Sequence, residues 1–134
     1  MDKETYDALA KARLERAKEL LDESKTLLES DKYKSANNRA FYAIEKSIKS
    51  LLASKEIDAD SHIGCLRQFN VHFIKDEEGG FGSGDYKRVA EAQRIRNNSD
   101  YDDFYVADKQ ECSRQVQTAE EFVIKAAKYL NIEL

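Results

Sequence analysis

The sequence predicts an all-α protein, an up-and-down antiparallel bundle of four to five helices forming one domain over residues 1–134. Three observations carry this. Proline is absent from the chain, so no helix interior is forced to break. Long segments repeat apolar residues at intervals of three and four, the period of a helix with one buried face. No segment sustains the period-two alternation of a half-buried strand. At 134 residues and 15.4 kDa there is room for one hydrophobic core.

The first helix is expected from Thr5 to Ser30, where Tyr6, Ala10, Ala17, Leu20, Ser24 and Leu27 form a stripe widened by Leu14, Leu21 and Leu28. Asp31 to Lys34 interrupt it. Ser35 reads as the N-cap of a second helix running to about Ser54, with Ala36, Ala40, Ile44, Ile48 and Leu51 inward and Phe41 and Leu52 on the shoulder. After a linker from Lys55 to Asp60, Ser61 reads as the cap of a third helix carrying Ile63, Leu66, Phe69 and Phe73. Four of the five glycines then fall between Asp76 and Gly84, which predicts a mobile connection. With no strand before it, the glycine run from Gly79 to Gly84 is not a phosphate loop. A fourth helix is expected from about Asp85, with Tyr86, Val89, Ala92 and Ile95 inward, until it meets the poor helix formers Asn97, Asn98, Ser99 and Asp100. Asp108 and Glu111 have capping-box spacing and open a last helix striped by Cys112, Val116, Ala119, Val123, Ala126 and Leu130, backed by Phe122 and Tyr129.

Charge and cysteine usage narrow the classes of function. The net charge of −4 and pI near 5.3 argue against a protein that coats duplex DNA through counterion release. Arg13, Arg16, Lys18, Arg39, Lys46, Lys49, Arg88, Arg94 and Arg96 could nevertheless converge on one side of the fold. Cys65 and Cys112 lie at apolar-periodic positions without metal-ligand spacing and read as buried free thiols. Neither His62 nor His72 has a second ligand at helical spacing, so no metal or cofactor is expected. The charged N-terminus and the short apolar runs predict neither a signal peptide nor a membrane span, and place the protein in the cytoplasm.

Three segments carry residues suited to chemistry. In Arg94 to Asp102, Arg96 and Asp100 are four apart, as are Asn97 and Tyr101, so a guanidinium, an amide, a carboxylate and a phenol share one side of a helix end. A guanidinium positioned by a carboxylate suits a phosphate or a ribose, although the same spacing fits an exposed ion pair at a fraying end. Asn37, Asn38 and Arg39 sit inside an otherwise good helix, either held by something outside it, lying on a solvated face, or stapling two helices. His62 follows the Ser61 cap, where the helix dipole favours a neutral imidazole able to accept a proton. A solvated surface histidine is the alternative.

Taken in order, Asn38-Arg39-Ala40-Phe41-Tyr42-Ala43, Ser61-His62-Ile63-Gly64, Phe69, Phe73-Ile74-Lys75, Arg96-Asn97-Asn98-Ser99-Asp100-Tyr101 and Ala119-Glu120-Glu121-Phe122-Val123 resemble the HEPN domain family over roughly Thr5 to Leu130. The resemblance implies a helical bundle that pairs as a homodimer and works with a minimal nucleotidyltransferase partner, often within a toxin–antitoxin system. Many such proteins are metal-independent RNases in which an arginine acts with a histidine four to six residues later. Here Arg96 matches the arginine, but the histidine position holds Tyr101. A phenol, with an ordinary pKa of about 10, is a poor general base at neutral pH.

The leading expectation is therefore a non-enzymatic module binding a nucleotide or RNA phosphate, or a nucleotidyltransferase. Arg96 would grip the phosphate, Asn97, Asp100 and Tyr101 would shape the site, and Arg39 and Asn38 would contribute from the second helix. The alternatives are an RNase toxin using Arg96 with Tyr101 or His62, and a non-catalytic dimeric scaffold.

Overall fold

The computed structural model describes residues 1–134 and contains helices α1 (Lys3–Glu29), α2 (Tyr33–Ser54), α3 (His62–Phe69), α4 (Ser83–Tyr101) and α5 (Lys109–Leu130). A π-helical turn, Asn70–Ile74, continues α3, and a 3-10 turn spans Glu78–Gly80. There is no strand. No helix is long and apolar enough to cross a membrane.

The long α2 is the centre of the bundle, packed against α1, α5, α4 and α3. Its composition explains the position. Ala36, Ala40, Ala43, Ser47 and Ser50 are buried with Phe41, Ile44, Ile48, Leu51 and Leu52, so small residues on one face let α1 approach closely. Ser47 and Ser50 satisfy their hydroxyls locally and across the interface: Ser47 Oγ donates to the Ala43 carbonyl at 2.8 Å and Ser50 Oγ to the Ala10 carbonyl at 2.6 Å. On α1 the stripe expected from periodicity is buried at Ala10, Leu14, Ala17, Leu20, Leu21 and Ser24.

Local expectations hold at some helix ends and fail at others. Ser35 is not a cap. The helix begins one turn earlier, at Tyr33, because Asp31 takes a left-handed conformation (φ 59°) that turns the chain within two residues. Ser61 does cap α3, accepting from the Gly64 amide at 2.9 Å. A Cβ at position 64 would stand 2.9 Å from Ser61 Oγ, so this cap needs its glycine. Ser61→Ala is expected to lower stability by about 1 kcal/mol, measured as a shift of the urea midpoint at constant slope. Asp108 caps α5 by accepting from the Gln110 amide at 2.8 Å, while Glu111 takes the Tyr105 hydroxyl rather than closing the box. Ile63 and Tyr86, placed inward by periodicity, are exposed, since each lies in the first turn of its helix, short of the core.

The glycine-rich connection is anchored rather than mobile. Phe81 inserts into a cluster with Phe69, Phe73 and Phe122, with ring centroids 5.1 to 6.2 Å apart. Glu78 pairs with Lys55 and accepts from the Tyr129 hydroxyl at 2.9 Å, and Lys125 donates to the Gly80 carbonyl at 3.1 Å. Gly79 and Gly80, at φ 69° and 82°, supply the left-handed turn that folds this segment back onto the core. Both cysteines are buried free thiols. Burial pushes Cys65 up to about 12 and Cys112 up to about 11, so neither is a nucleophile at neutral pH.

Candidate functional site

Helix α4 does not fray at its asparagine-rich end. It runs through Asn97, Asn98, Ser99 and Asp100 to Tyr101 because α2 supplies partners for these polar side chains. Asn37, buried on α2, donates through Nδ2 to Ser99 Oγ at 3.1 Å. One helical position further out, Asn38 Nδ2 donates to Asp100 Oδ2 at 2.9 Å. Two adjacent asparagines on α2 thus pair with two adjacent polar residues on α4, and the low helix propensity of all four is offset by contacts between helices.

Arg96 lies at the centre of this seam. Its Nε donates to Asp100 Oδ2 at 2.9 Å, Nη1 to Asn97 Oδ1 at 3.2 Å and Nη2 to Tyr101 OH at 3.3 Å. The guanidinium carbon stands 5.1 Å from the centre of the Tyr42 ring, 5.3 Å from Tyr101 and 5.9 Å from Phe41, each within reach of a cation–π attraction. The side chain is 11% exposed and that of Asp100 22%. A guanidinium has five N–H donors, and three are engaged here. The arrangement holds the cation rigidly and leaves one N–H on each terminal nitrogen uncommitted. That pattern suits two-point contact with a phosphate.

The residues predicted from sequence come together except for one. Arg96, Asn97, Asp100, Tyr101 and Asn38 form a connected hydrogen-bonded cluster, and Arg39 joins it by donating to Asn38 Oδ1 at 3.0 Å. His62 is outside that network. Its ring lies edge-on to Phe41 at 5.4 Å and tilted against Tyr42 at 6.2 Å, the same two rings that lie near the Arg96 guanidinium. His62 Nδ1 is bound to Glu45, a residue buried on α2 that also lies 3.8 Å from Lys49 Nζ. Glu45 and Tyr42 were not singled out by spacing. Tyr42 is visible only as the aromatic at the centre of Asn38 to Ala43, and Glu45 only as a charge on the inward side of an amphipathic helix. Burial pushes the Tyr42 phenol above its ordinary range, against the opposing pull of Arg96.

At the end of α4 and just after it, Tyr101, Phe104 and Val106 are among the most exposed large apolar side chains of the molecule, at 72%, 94% and 85%. The segment also carries Asp102, Asp103 and Asp108.

An all-α bundle whose central helix pairs an Asn-Arg-x-Phe-Tyr-Ala segment with an arginine-led polar turn on the fourth helix defines a class of small helical modules. The HEPN domain model matches residues 10–129, and the chain belongs to the HEPN domain family. Relatives include a Methanocaldococcus jannaschii protein named "Putative toxin MJ0142", 32% identical over 117 residues, which cover 87% of this chain and 78% of the relative. A Thermotoga maritima protein named "UPF0332 protein" is 32% identical over 113 residues, 81% of this chain and 80% of its own. A second M. jannaschii protein, "Putative toxin MJ0605", is 32% identical over 123 residues, 89% and 87% of the two chains.

Proposed function

We propose that this chain is a HEPN module that binds the phosphate of a nucleotide or an RNA through Arg96, acting in a toxin–antitoxin setting. The observation that carries the reading is the guanidinium itself. It is stacked between aromatic rings and fixed by Asp100, Asn97 and Tyr101, yet retains two uncommitted donors. A cation preorganised in this way binds an anion without first losing side-chain freedom. Asn38 and Arg39 extend the site onto α2. The toxin names of two relatives support the setting. A homodimer partner or a minimal nucleotidyltransferase would cover the exposed Tyr101, Phe104 and Val106. Binding of a labelled 5′-phosphorylated RNA and of a fluorescent AMP analogue to the wild type and to Arg96→Ala tests the reading, and equal binding by both proteins would remove Arg96 from the site.

A second reading, metal-independent RNA cleavage, is favoured by the Glu45–His62 pair. With Nδ1 bound to a carboxylate, the neutral imidazole carries its proton there and presents Nε2 as the free base. Cleavage of a random-sequence RNA in EDTA that is lost in His62→Ala and Glu45→Gln would establish it. Cleavage unaffected by either substitution would remove the Glu45–His62 pair from the reaction, and no cleavage by the wild type would leave the binding role alone.

A further inference from the structure

We propose that the outer face of α2 carries a second anion subsite, formed by Lys46 and Arg39 in the α1–α2 cleft, and that the ligand of this site is a single-stranded oligonucleotide spanning at least two phosphates. This inference rests on the phosphate reading of Arg96 and extends it along the surface.

The cations of α1 and α2 converge here. Arg13, Arg16, Lys46 and Lys49 lie close enough to act on one another, and three are matched by acids: Arg13 by Asp58 at 2.9 Å, Arg16 by Glu19 and Glu23, and Lys49 by Glu45. Lys46 has no such carboxylate. It is partly buried, and burial together with Lys49, Arg13 and Arg16 pushes its ammonium below the ordinary lysine range, with Glu45 only partly opposing them. A partly desolvated ammonium near three other cations is unfavourable in the free protein, and a phosphate placed beside it would offset the repulsion among them. Arg39 donates once, to Asn38, and its remaining N–H groups have no protein partner.

The cleft geometry connects these groups to Arg96. A cleft of about 280 Å³ is lined by Arg16, Asn38, Arg39, Tyr42 and Lys46 together with Leu20 and Glu23. A neighbouring one of about 270 Å³ is lined by Lys34, Asn38, Arg39, Ser99 and Asp100. Arg39 and Asn38 belong to both, and Asp100 and Tyr42 both touch Arg96. The two clefts therefore adjoin at Asn38 and Arg39 and run from Asp100, the partner of Arg96, to Lys46. Each is smaller than the roughly 300–1,000 Å³ that encloses a whole small-molecule ligand, so each takes part of a longer one. Arg39 and Lys46 are seven residues apart on α2, about 10 Å along its axis. A flexible strand can follow such a line of separated cations. Four acidic residues border Arg39, namely Glu19, Asp22, Glu23 and Asp100, and each is already paired with a lysine or an arginine.

The test uses fluorescence anisotropy with a labelled random-sequence RNA 12-mer, the DNA 12-mer and a fluorescent AMP analogue, across a salt series. The variants are Lys46→Ala, Lys46→Arg and Arg96→Ala. Lys46→Ala is expected to weaken 12-mer binding several-fold and to make the logarithmic salt slope shallower by about 1, while AMP binding stays at the wild-type level. Lys46→Arg is expected to restore both affinity and slope. Because the substitution removes a desolvated cation, the thermal midpoint should not fall, which separates a lost contact from a damaged fold. Equal binding of RNA and DNA assigns recognition to the phosphodiester, whereas RNA alone adds the 2′-hydroxyl. Wild-type 12-mer affinity and salt slope in Lys46→Ala would overturn the subsite while leaving Arg96 in place, as would binding of AMP without the 12-mer. Failure of the wild type to bind any of the three probes would overturn the phosphate reading of Arg96 and this inference with it.

Discussion

Arg96→Ala is expected to lower affinity for a phosphorylated RNA by about ten- to a hundredfold. The free guanidinium edge offers two charge-assisted donors, and each such bond is worth about 1.5–3 kcal/mol, of which water recovers part in the variant. Arg96→Lys should restore little. An ammonium keeps the charge but cannot hold Asp100 Oδ2, Asn97 Oδ1 and Tyr101 OH together while presenting a fork to the ligand. The substitution should also be felt in the free protein. Asp100 would keep only Asn38, and the Tyr42 and Tyr101 rings would lose the cation between them. A stability loss of about 1 kcal/mol is expected from the broken ion pair and its hydrogen bonds. Calorimetric titration of the folded variant, with its melting curve taken in parallel, separates the two effects. Unchanged affinity would mean that the Arg96 cluster serves only to join α2 and α4.

Phe69→Ala is expected to cost about 3–5 kcal/mol, a large share of the roughly 5–15 kcal/mol that holds a domain folded. Phe69 is fully buried and meets Phe73, Phe81 and Phe122, so it joins three separate segments: the end of α3, the glycine connection and α5. Removing it leaves a cavity that none of these can fill without breaking another contact. The consequence should extend beyond stability. With Phe81 loosened, the connection from Glu78 to Gly82 loses its main anchor, and hydrogen exchange there should accelerate more than in α1. Urea unfolding measures the first effect and amide exchange the second. A loss below about 1 kcal/mol would show that the cluster collapses onto the gap.

The two expectations differ in how far sequence could support them. Burial of Phe69 follows from its place on an apolar stripe with Phe73, and the same argument holds for Ala17, Ile44, Val116 and Val123, all buried. Periodicity reports which face of a helix is wet, and in a bundle with one core that nearly decides what is inside. It fails at Ile63 and Tyr86, because the first turn of a helix can extend past the body that the rest of it packs against. Composition misleads at the glycine connection, which reads as flexible while one phenylalanine, Phe81, ties it down.

For the site, the segment from Arg96 to Tyr101 was legible because a guanidinium, amide, carboxylate and phenol stand at helical spacing within one short stretch. What lay beyond reach was which partners they would choose. The bonds from Asn37 to Ser99 and from Asn38 to Asp100 join residues 62 positions apart, and the packing angle of α2 on α4 selects them. The same packing turns His62 towards Glu45 and leaves Lys46 without a carboxylate beside a line of cations.

The sequence by itself determined that this chain is an all-helical bundle with a buried apolar stripe on each long helix and an arginine-centred polar turn near the end of the fourth, because local spacing and propensity encode these. Only the tertiary structure decided that the polar turn stays helical and that α2 completes it. Those outcomes depend on distances between segments remote in sequence, which no local pattern records.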